Sequence, residues 1–275
     1  MRGLHEAGLK ACSYVLVAGL ACVNAVAQAP KPSLASPNAA GVSMGHLHYR
    51  VRDVAANKRF WMALGGQPVA TARRFAAPGR EILRFQDVLV VLDPGETTGG
   101  TEGSIVNHVA FRIPSLAPVE AAGLVPARLA QFPGVSSVMS PENERIELFE
   151  NTATNLTFTQ EGSARDAAAA GQAKAWYARV FGGVPGKRAQ YDATDVPGIN
   201  LNFSAAPRAV VPTKGRMLDH IGFEVVKLKA FCQRLESLGV MFDEHYAEGR
   251  DGVGRALLTD PWGTSIELTE GLAGL

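Results

Sequence analysis

The C-terminal part of the sequence, residues 218–269, has a pattern that few folds can accommodate. Residues 218–225 alternate between apolar and mixed side chains, which is typical of a half-buried strand. Residues 228–239 then carry apolar side chains at helical spacing, and Gly239 is a typical helix stop. Three short strand patterns follow, the last two separated by the tight turn Asp260-Pro261-Trp262-Gly263. The pattern predicts one unit in the order strand, helix, strand, strand, strand.

Earlier parts of the chain repeat this unit in a rougher form. The helix pattern at 59–66 reads RFWMALGG, and the pattern at 175–183 reads AWYARVFGG, so both end in a pair of glycines. An internal repeat of this kind indicates an array of like structural units. We therefore predict four modules, whose opening strands lie near 45–51, 106–113, 155–159 and 218–225.

The last module resembles the vicinal oxygen chelate superfamily, which includes glyoxalase I, bleomycin-resistance proteins and extradiol ring-cleaving dioxygenases. The resemblance rests on His220 in the opening strand, the D-P-x-G turn and Glu267 in the closing strand. It implies an α+β fold of four βαβββ modules, paired into two cup-shaped mixed sheets that each surround one divalent metal ion. We expect the modules to pair in chain order, giving one domain at 44–151 and a second at 152–275.

Two strand positions carry candidate metal ligands. Aligned on their alternation, the opening strands share a position that holds His46, His108, Asn155 and His220. The closing strands share a position that holds Val91, Glu147, approximately Asn200, and Glu267.

A cup built from the first two modules would contain His46, His108 and Glu147. Two imidazoles and one carboxylate suit Fe²⁺, Mn²⁺, Ni²⁺, Co²⁺ or Zn²⁺ and leave coordination positions open for a chelating substrate. The second cup would contain Asn155, His220 and Glu267. Because an amide is a weak neutral ligand, we expect this second site to be degenerate or structural.

Three further side chains are predicted to face the first cup. His48 shares a strand face with His46, so it is a candidate general base or oxyanion ligand, and equally an alternative metal ligand. Arg50 and Arg145 have the same inward parity as His46 and Glu147. They are candidates for holding an anionic substrate group, although an arginine at the rim of a cup is as often solvated.

The N-terminal residues have the pattern of an export signal. Arg2 and Lys10 supply positive charge, residues 11–21 are almost wholly apolar, and Ala25-Val26-Ala27 fits a cleavage site. The apolar run is shorter than the roughly 20 residues that span a bilayer. We expect a signal peptide at 1–27, a flexible lead-in at 28–43, and a periplasmic or secreted protein without a membrane anchor. Only Cys232 would remain, and its helical apolar neighbours predict a buried, unreactive thiol.

Composition narrows the function classes. A net charge of +1 gives no electrostatic argument for binding nucleic acid or an acidic membrane. The resemblance implies a metalloenzyme that binds a small molecule through vicinal oxygens, as a dioxygenase, lyase or isomerase. The alternative is a metal-free binding protein of the bleomycin-resistance type. Four modules can close both cups within one chain, so a monomer is expected, with a homodimer as the alternative.

Overall fold

The computed structural model describes residues 34–70, 74–85, 87–130, 132, 134–150, 158–164, 167–206 and 208–275. The expected signal peptide, the start of the lead-in and Asn155 lie outside these ranges. Module one comprises β1 (Val42–Val51), α1 (Val54–Ala63), β2 (Gln67–Pro68), β3 (Glu81–Arg84) and β4 (Leu89–Pro94). Module two comprises β5 (Val106–Ile113), α2 (Ala117–Ala121), β6 (Ala127–Arg128), β7 (Val135–Met139) and β8 (Arg145–Glu150).

The second half of the chain repeats the same order of elements. Module three comprises β9 (Phe158–Ala164), α3 (Ala167–Phe181), β10 (Val184–Arg188), β11 (Tyr191–Val196) and β12 (Ile199–Ala205). Module four comprises β13 (Leu218–Val225), α4 (Leu228–Ser237), β14 (Glu244–Glu248), β15 (Gly254–Thr259) and β16 (Ser265–Glu270). The predicted α+β fold of four βαβββ modules is confirmed.

Side chains fix where the helices of the outer modules begin. The Asp53 carboxylate accepts a hydrogen bond from the Ala56 backbone N–H at 2.8 Å, which caps the first turn of α1. In α4 the cap comes from the closing strand, since Glu270 accepts hydrogen bonds from the backbone N–H groups of Lys227 and Leu228. Each helix thereby keeps its apolar face on the core.

The strands form two eight-stranded sheets. The sheet that we call the front cup has the order β14-β15-β16-β13-β1-β4-β3-β2, and the rear cup has the order β10-β11-β12-β9-β5-β8-β7-β6. Module one therefore pairs with module four, and module two with module three. The expected pairing in chain order, with domains at 44–151 and 152–275, is wrong. The front cup is built from the two ends of the described chain and the rear cup from its middle.

The physical reason for this pairing lies in the two connections between the cups, which run side by side. Ser104 and Val211 form a parallel bridge, and the Ile105 N–H donates to the Val211 carbonyl at 2.9 Å. Further along, the Met217 N–H donates to the Gly99 carbonyl at 2.9 Å, and the Arg216 guanidinium donates to the Gly100 carbonyl. Because the connections are paired, the chain leaves the front cup and returns to it along the same path.

Aromatic side chains join the two cups through a shared core. The Trp61 ring on α1 lies 5.5 Å from the Phe111 ring on β5, and the Phe181 ring on α3 lies 4.5 Å from the Phe223 ring on β13. Such pairs contribute about 0.5–1.5 kcal/mol each beyond the area that they bury. Both contacts cross from one cup to the other, so the packing of each sheet depends on the other.

Two smaller expectations have different outcomes. The lead-in is packed rather than flexible from Leu34 onward, because Leu34 is buried and the Asn38 amide donates to the carbonyls of Phe181 and Gly182. Cys232 is buried as expected, and burial raises the pKa of its thiol to about 11. None of the helices in the described ranges is both long and apolar enough to span a bilayer.

Candidate metal centre

Four side chains converge at the middle of the front cup. His46 and His48 lie on β1, His220 lies on β13 and Glu267 lies on β16. One potential ligand atom from each of them lies within 4.8 Å of those of the other three. The strand order places them together, since β13 lies between β1 and β16 at the centre of the sheet.

The strand register explains how His46 reaches the carboxylate. On β13, Gly222 lies opposite His46 and next to Glu267 on β16. A Cβ atom built on Gly222 would lie only 2.0 Å from His46 Cε1. The missing side chain at Gly222 therefore leaves the space that the His46 imidazole fills. From there His46 Nε2 lies 2.9 Å from Glu267 Oε2.

The converging atoms are buried and lack hydrogen bonds. His220 Nε2 lies 3.4 Å from the same Glu267 oxygen that His46 approaches. Within the part of the chain that the structure describes, these two nitrogens and Glu267 Oε2 make no hydrogen bond of acceptable geometry, and the same holds for Nδ1 of His46 and of His48. A buried polar atom without a partner costs about 1–3 kcal/mol. Several such atoms that face one another are the arrangement that a cation would satisfy.

His48 is held by a charged pair behind it. Its Nε2 lies 3.0 Å from Asp93 Oδ2, and Arg80 donates to both Asp93 oxygens at 2.6 and 2.7 Å. Burial raises the pKa of Asp93, but the hydrogen bonds from Arg80 and His48 outweigh it and bring the pKa below its usual range. An ionised Asp93 accepts a hydrogen bond from Nε2–H, which leaves the Nδ1 lone pair of His48 free to face the site. Burial also lowers the pKa of His48 to about 4, so its imidazole is neutral at pH 7.

His220 is oriented in the same manner. Its Nδ1 lies 2.8 Å from Asp219 Oδ1, and the Gly215 N–H donates to the other Asp219 oxygen at 2.7 Å. Burial lowers the pKa of His220, but the hydrogen bond with Asp219 and the negative charges of Glu267 and Asp219 outweigh it and raise the pKa to about 9. Burial likewise raises the pKa of Glu267, yet His220 and His46 keep it well below its usual range. A carboxylate behind an imidazole is the support that metal-binding histidines use.

A cavity of about 610 Å³ opens onto this group. Its described lining includes His48, His220 and Glu267, whereas His46 is 0% exposed and lies beneath them. Cations also line it, namely Arg50, Arg80, Lys214 and Arg255. The cavity is therefore a polar space beside the imidazoles, and Arg50 faces it as the sequence predicts.

The metal triad expected from the sequence does not assemble. His108 and Glu147 lie together in the rear cup, with His108 Nε2 3.3 Å from Glu147 Oε2. His46 lies in the front cup instead, because module one pairs with module four. His220 and Glu267, which were expected to share a weaker site with Asn155, are the residues that join His46. The front cup therefore combines His46 from the first expected site with His220 and Glu267 from the second, while His108 and Glu147 stay together in the rear cup.

The register also corrects the alignment of module one. Arg50 pairs with Asp93, as Gly222 pairs with Glu267 and Ala110 pairs with Glu147. His48 therefore corresponds to His220 and His108, and Asp93 rather than Val91 corresponds to the closing glutamates. His46 is an additional imidazole on the same face. The exit Asp93-Pro94-Gly95 was the available sequence signal for Asp93, whereas no local signal marks Arg80 or Asp219 as supporting residues.

The rear cup has a different chemical character. Asn107 Oδ1 lies 2.9 Å from His108 Nδ1, and Arg145 Nη2 lies 2.8 Å from the same nitrogen. Burial raises the pKa of Glu147, but His108 and Arg145 lower it below its usual range. In the described ranges, the front cup alone contains three or more potential ligands that converge. A predicted anion-binding residue, Arg145, does face the rear cavity.

Comparisons with known proteins agree with the fold. Residues 167–268 match the sequence model of the Glyoxalase/Bleomycin resistance protein/Dioxygenase superfamily. A search of curated proteins found no match. Glyoxalase I from Zea mays superposes with a TM-score of 0.61 at 14% identity, over 83% of this chain and 92% of that one.

A second solved structure covers slightly more of the chain. A putative dioxygenase from Bacillus subtilis superposes with a TM-score of 0.61 at 13% identity, over 88% of both chains. Identities this low establish the fold and no further property. The resemblance predicted from the sequence is thus confirmed: residues 167–268 match the Glyoxalase/Bleomycin resistance protein/Dioxygenase superfamily, and the chain has the fold of that superfamily.

Proposed function

We propose that the protein is an enzyme that uses a divalent metal ion in the front cup to act on a small substrate bound through adjacent oxygens. The observation that supports this most is the convergence of His46 Nε2, His220 Nε2 and Glu267 Oε2, all buried and without hydrogen bonds. Two imidazoles and a carboxylate fit Fe²⁺, Mn²⁺, Ni²⁺, Co²⁺ or Zn²⁺. These three residues would hold the ion.

A bound ion would polarise a substrate oxygen as a Lewis acid. His48 would then accept a proton from the substrate, since its imidazole is neutral and its Nδ1 lone pair is directed away from Asp93. A positioned neutral imidazole is a typical general base. Asp93 and Arg80 would keep that imidazole in one orientation and one tautomer. This arrangement supports the catalytic role predicted for His48.

The cavity lining favours a polar substrate. Arg50 and Lys214 face the cavity without an ion-pair partner in the described part of the chain, and so do Glu244 and Glu248 on the edge strand β14. Apart from its histidines, the described lining contains no aromatic side chain that would stack on a catechol ring. A lyase or isomerase reaction on a small, polar, oxygenated substrate therefore fits this cup better than the cleavage of an aromatic ring.

Metal content tests the proposal directly. The protein is purified without chelators, and its metal is measured by mass spectrometry for the wild type, His46→Ala and His108→Ala. We expect about one equivalent of metal in the wild type and in His108→Ala, and its loss in His46→Ala. Of the two altered histidines, His46 lies in the front cup and His108 in the rear cup. If His46→Ala keeps the metal and His108→Ala loses it, the proposed site in the front cup is refuted.

Activity tests the reaction class. The metal-loaded protein is assayed with 2-oxoaldehyde adducts, small hydroxy acids and catechols, before and after chelation. We expect turnover of a small oxygenated substrate that chelation abolishes and a divalent metal restores, and a turnover number lowered about 100-fold or more in His48→Ala. A metal-free wild type whose ligand binding is unchanged in His46→Ala would instead indicate a binding protein.

We also propose that the protein is exported and works as a monomer. The support for export is the charged, then apolar, then small-residue pattern of residues 1–27. The support for a monomer is that one chain supplies all strands of both cups. N-terminal sequencing of protein from a cell-envelope fraction would test export, with a mature terminus near Gln28 expected. Light scattering would test the oligomeric state.

A further inference from the structure

The rear cup contains a cavity of about 350 Å³ whose lining differs from that of the front cup. Its described lining is rich in aromatic and apolar side chains, which are Leu129, Phe132, Val135, Phe149 and Tyr191. The volume lies within the range of small-molecule sites, about 300–1,000 Å³. Phe132 is 51% exposed, so an apolar ring stands at the opening. The cavity can therefore surround a single aromatic ring.

Among the described residues, the charged side chains that line this cavity are three arginines and one glutamate. Arg188 is paired with Asp195 at 3.0 Å, and Arg145 lies 3.6 Å from Glu147. Arg112 is half-buried on β5 and has no ion-pair partner among the described residues. A partly desolvated guanidinium beside apolar rings attracts an anion, and its fork of N–H groups matches a carboxylate.

The strand register directs the side chain of Arg112 into the cavity. His108, Ala110 and Arg112 alternate on one face of β5, so all three side chains are directed to the same side of the sheet. The small side chain of Ala110 leaves room between the imidazole and the guanidinium. A flat ring can lie over Ala110 with its acid group at Arg112.

We propose that the rear cup is a second binding site, for a small aromatic carboxylate. The carboxylate pairs with Arg112, and the ring packs against Phe132, Phe149 and Tyr191. The site lies on a different sheet from the candidate metal centre and shares none of its residues. It stands whether or not the front cup binds a metal ion.

Calorimetry with benzoate as the probe tests this site. We expect benzoate to bind the wild type, and the uncharged isostere benzamide to bind at least about tenfold more weakly, because a hydrogen bond to a charged group is stronger than one between neutral groups. Arg112→Gln should weaken benzoate binding by at least about tenfold. Arg59→Gln is the matched control, since Arg59 is an exposed arginine on α1, and it should leave the affinity unchanged.

Two further variants separate the site from misfolding and from the front cup. Phe132→Ala alters an exposed ring, so it should weaken benzoate binding severalfold while leaving the melting temperature unchanged. Glu267→Gln alters the front cup and should leave benzoate binding unchanged. Absence of benzoate binding at millimolar concentration, equal affinity for benzamide, an unaffected Arg112→Gln, or loss of binding in Glu267→Gln would each overturn the proposal.

Discussion

The two cups have the same strand order but differ at the residues that surround their histidines. In the front cup, His220 follows Asp219 and lies two residues before Gly222. In the rear cup, His108 follows Asn107 and lies two residues before Ala110. The front histidine is therefore supported by a carboxylate and has an open space beside it. The rear histidine is supported by an amide and has a methyl group beside it.

The closing strands differ in charge. The front strand reads Ser265-Ile266-Glu267, and the rear strand reads Arg145-Ile146-Glu147, so a guanidinium replaces a hydroxyl two residues before the glutamate. Arg145 lies 2.8 Å from His108 Nδ1, and its positive charge opposes a cation there. A few positions on the central strands thus give one scaffold the proposed cation site in the front cup and the proposed anion site in the rear cup.

Removal of the closing carboxylate is the largest test of this comparison. Glu267→Gln replaces the carboxylate of a proposed ligand by a neutral amide of the same shape, whereas Glu147→Gln makes the same change in the rear cup. We expect Glu267→Gln to lower metal affinity more than about 100-fold, since loss of residues that merely support a ligand costs about 10–100-fold. Glu147→Gln should leave it unchanged. Competition with a fluorescent chelator measures both, and an equal loss in the two variants would contradict the difference between the cups.

The modules themselves could be predicted from sequence because their signals are local. The alternation of 218–225, the stop at Gly239 and the D-P-x-G turn each act within a few residues, and the structure has the elements that they predict. The pairing of modules could not be predicted. All four opening strands have the same pattern, and either pairing would bury the same faces. The side-by-side connections around Gly99 and Val211 decide it, and their hydrogen bonds have no local signature.

The space at Gly222 gives the next largest test. Gly222→Ala would place a methyl group at 2.0 Å from the present position of His46 Cε1, so the imidazole must move away from Glu267. We expect metal affinity to fall by about 10–100-fold, similar to the loss of a residue that positions a ligand. Gly186→Ala is the matched control, because a Cβ atom at Gly186 meets nothing within 4 Å. The absorption spectrum of the Co²⁺ form should change in Gly222→Ala alone.

An unchanged spectrum and affinity in Gly222→Ala would show that His46 is not a ligand. In that case His48 would take its place beside His220 and Glu267, because a ligand atom of His48 lies within the same group. A lowered melting temperature without a change in the Co²⁺ spectrum would indicate a packing role for Gly222. The two readouts therefore separate the placement of His46 from general stability.

The sequence alone also cannot decide whether His46 or His48 corresponds to His220. Side chains two residues apart share a strand face, so alternation cannot tell which one matches His220. The register of β1 against β4 settles it, since Arg50 pairs with Asp93. Arg80 and Asp219 are similar cases, because their roles depend on contacts with Asp93 and His220 that only the assembled sheet creates.

The residues that precede the histidines offer a smaller test. Asp219→Asn gives the front cup the amide that Asn107 provides in the rear cup, and it keeps the side-chain shape. We expect metal affinity to fall by about tenfold, since a carboxylate raises the basicity of the imidazole that it supports. The reverse change, Asn107→Asp, should leave the metal content unchanged. Calorimetric titration with Zn²⁺ measures both, and an unaltered affinity in Asp219→Asn would remove Asp219 from the proposed support.

The turns before the closing strands differ in a buried acid. In the front cup, Asp260 accepts hydrogen bonds from the backbone of its own turn and from the Tyr177 hydroxyl at 2.7 Å. In the rear cup, Ser140 takes over the backbone hydrogen bonds, and Glu144 accepts only the Tyr49 hydroxyl, at 3.2 Å. Glu144 Oε2 has no hydrogen-bond partner among the residues that the structure describes. Burial of the Glu144 carboxylate is therefore offset by fewer hydrogen bonds than burial of the Asp260 carboxylate.

This contrast predicts a pH-dependent difference of modest size. Burial raises the pKa of Glu144 well above its usual value, more than the Tyr49 hydrogen bond lowers it. The folded state therefore holds a proton that the unfolded state releases, and stability falls as pH rises from the unfolded pKa toward the folded one. Glu144→Gln cannot ionise and keeps an oxygen for Tyr49, so it should gain stability relative to the wild type as pH rises from 4 to 8. Each pKa unit is worth about 1.4 kcal/mol. Urea unfolding of both proteins measures this gain, with the exposed Glu120→Gln as control. If the difference in the free energy of unfolding between variant and wild type stays constant or shrinks as pH rises, Glu144 ionises as freely in the folded as in the unfolded chain.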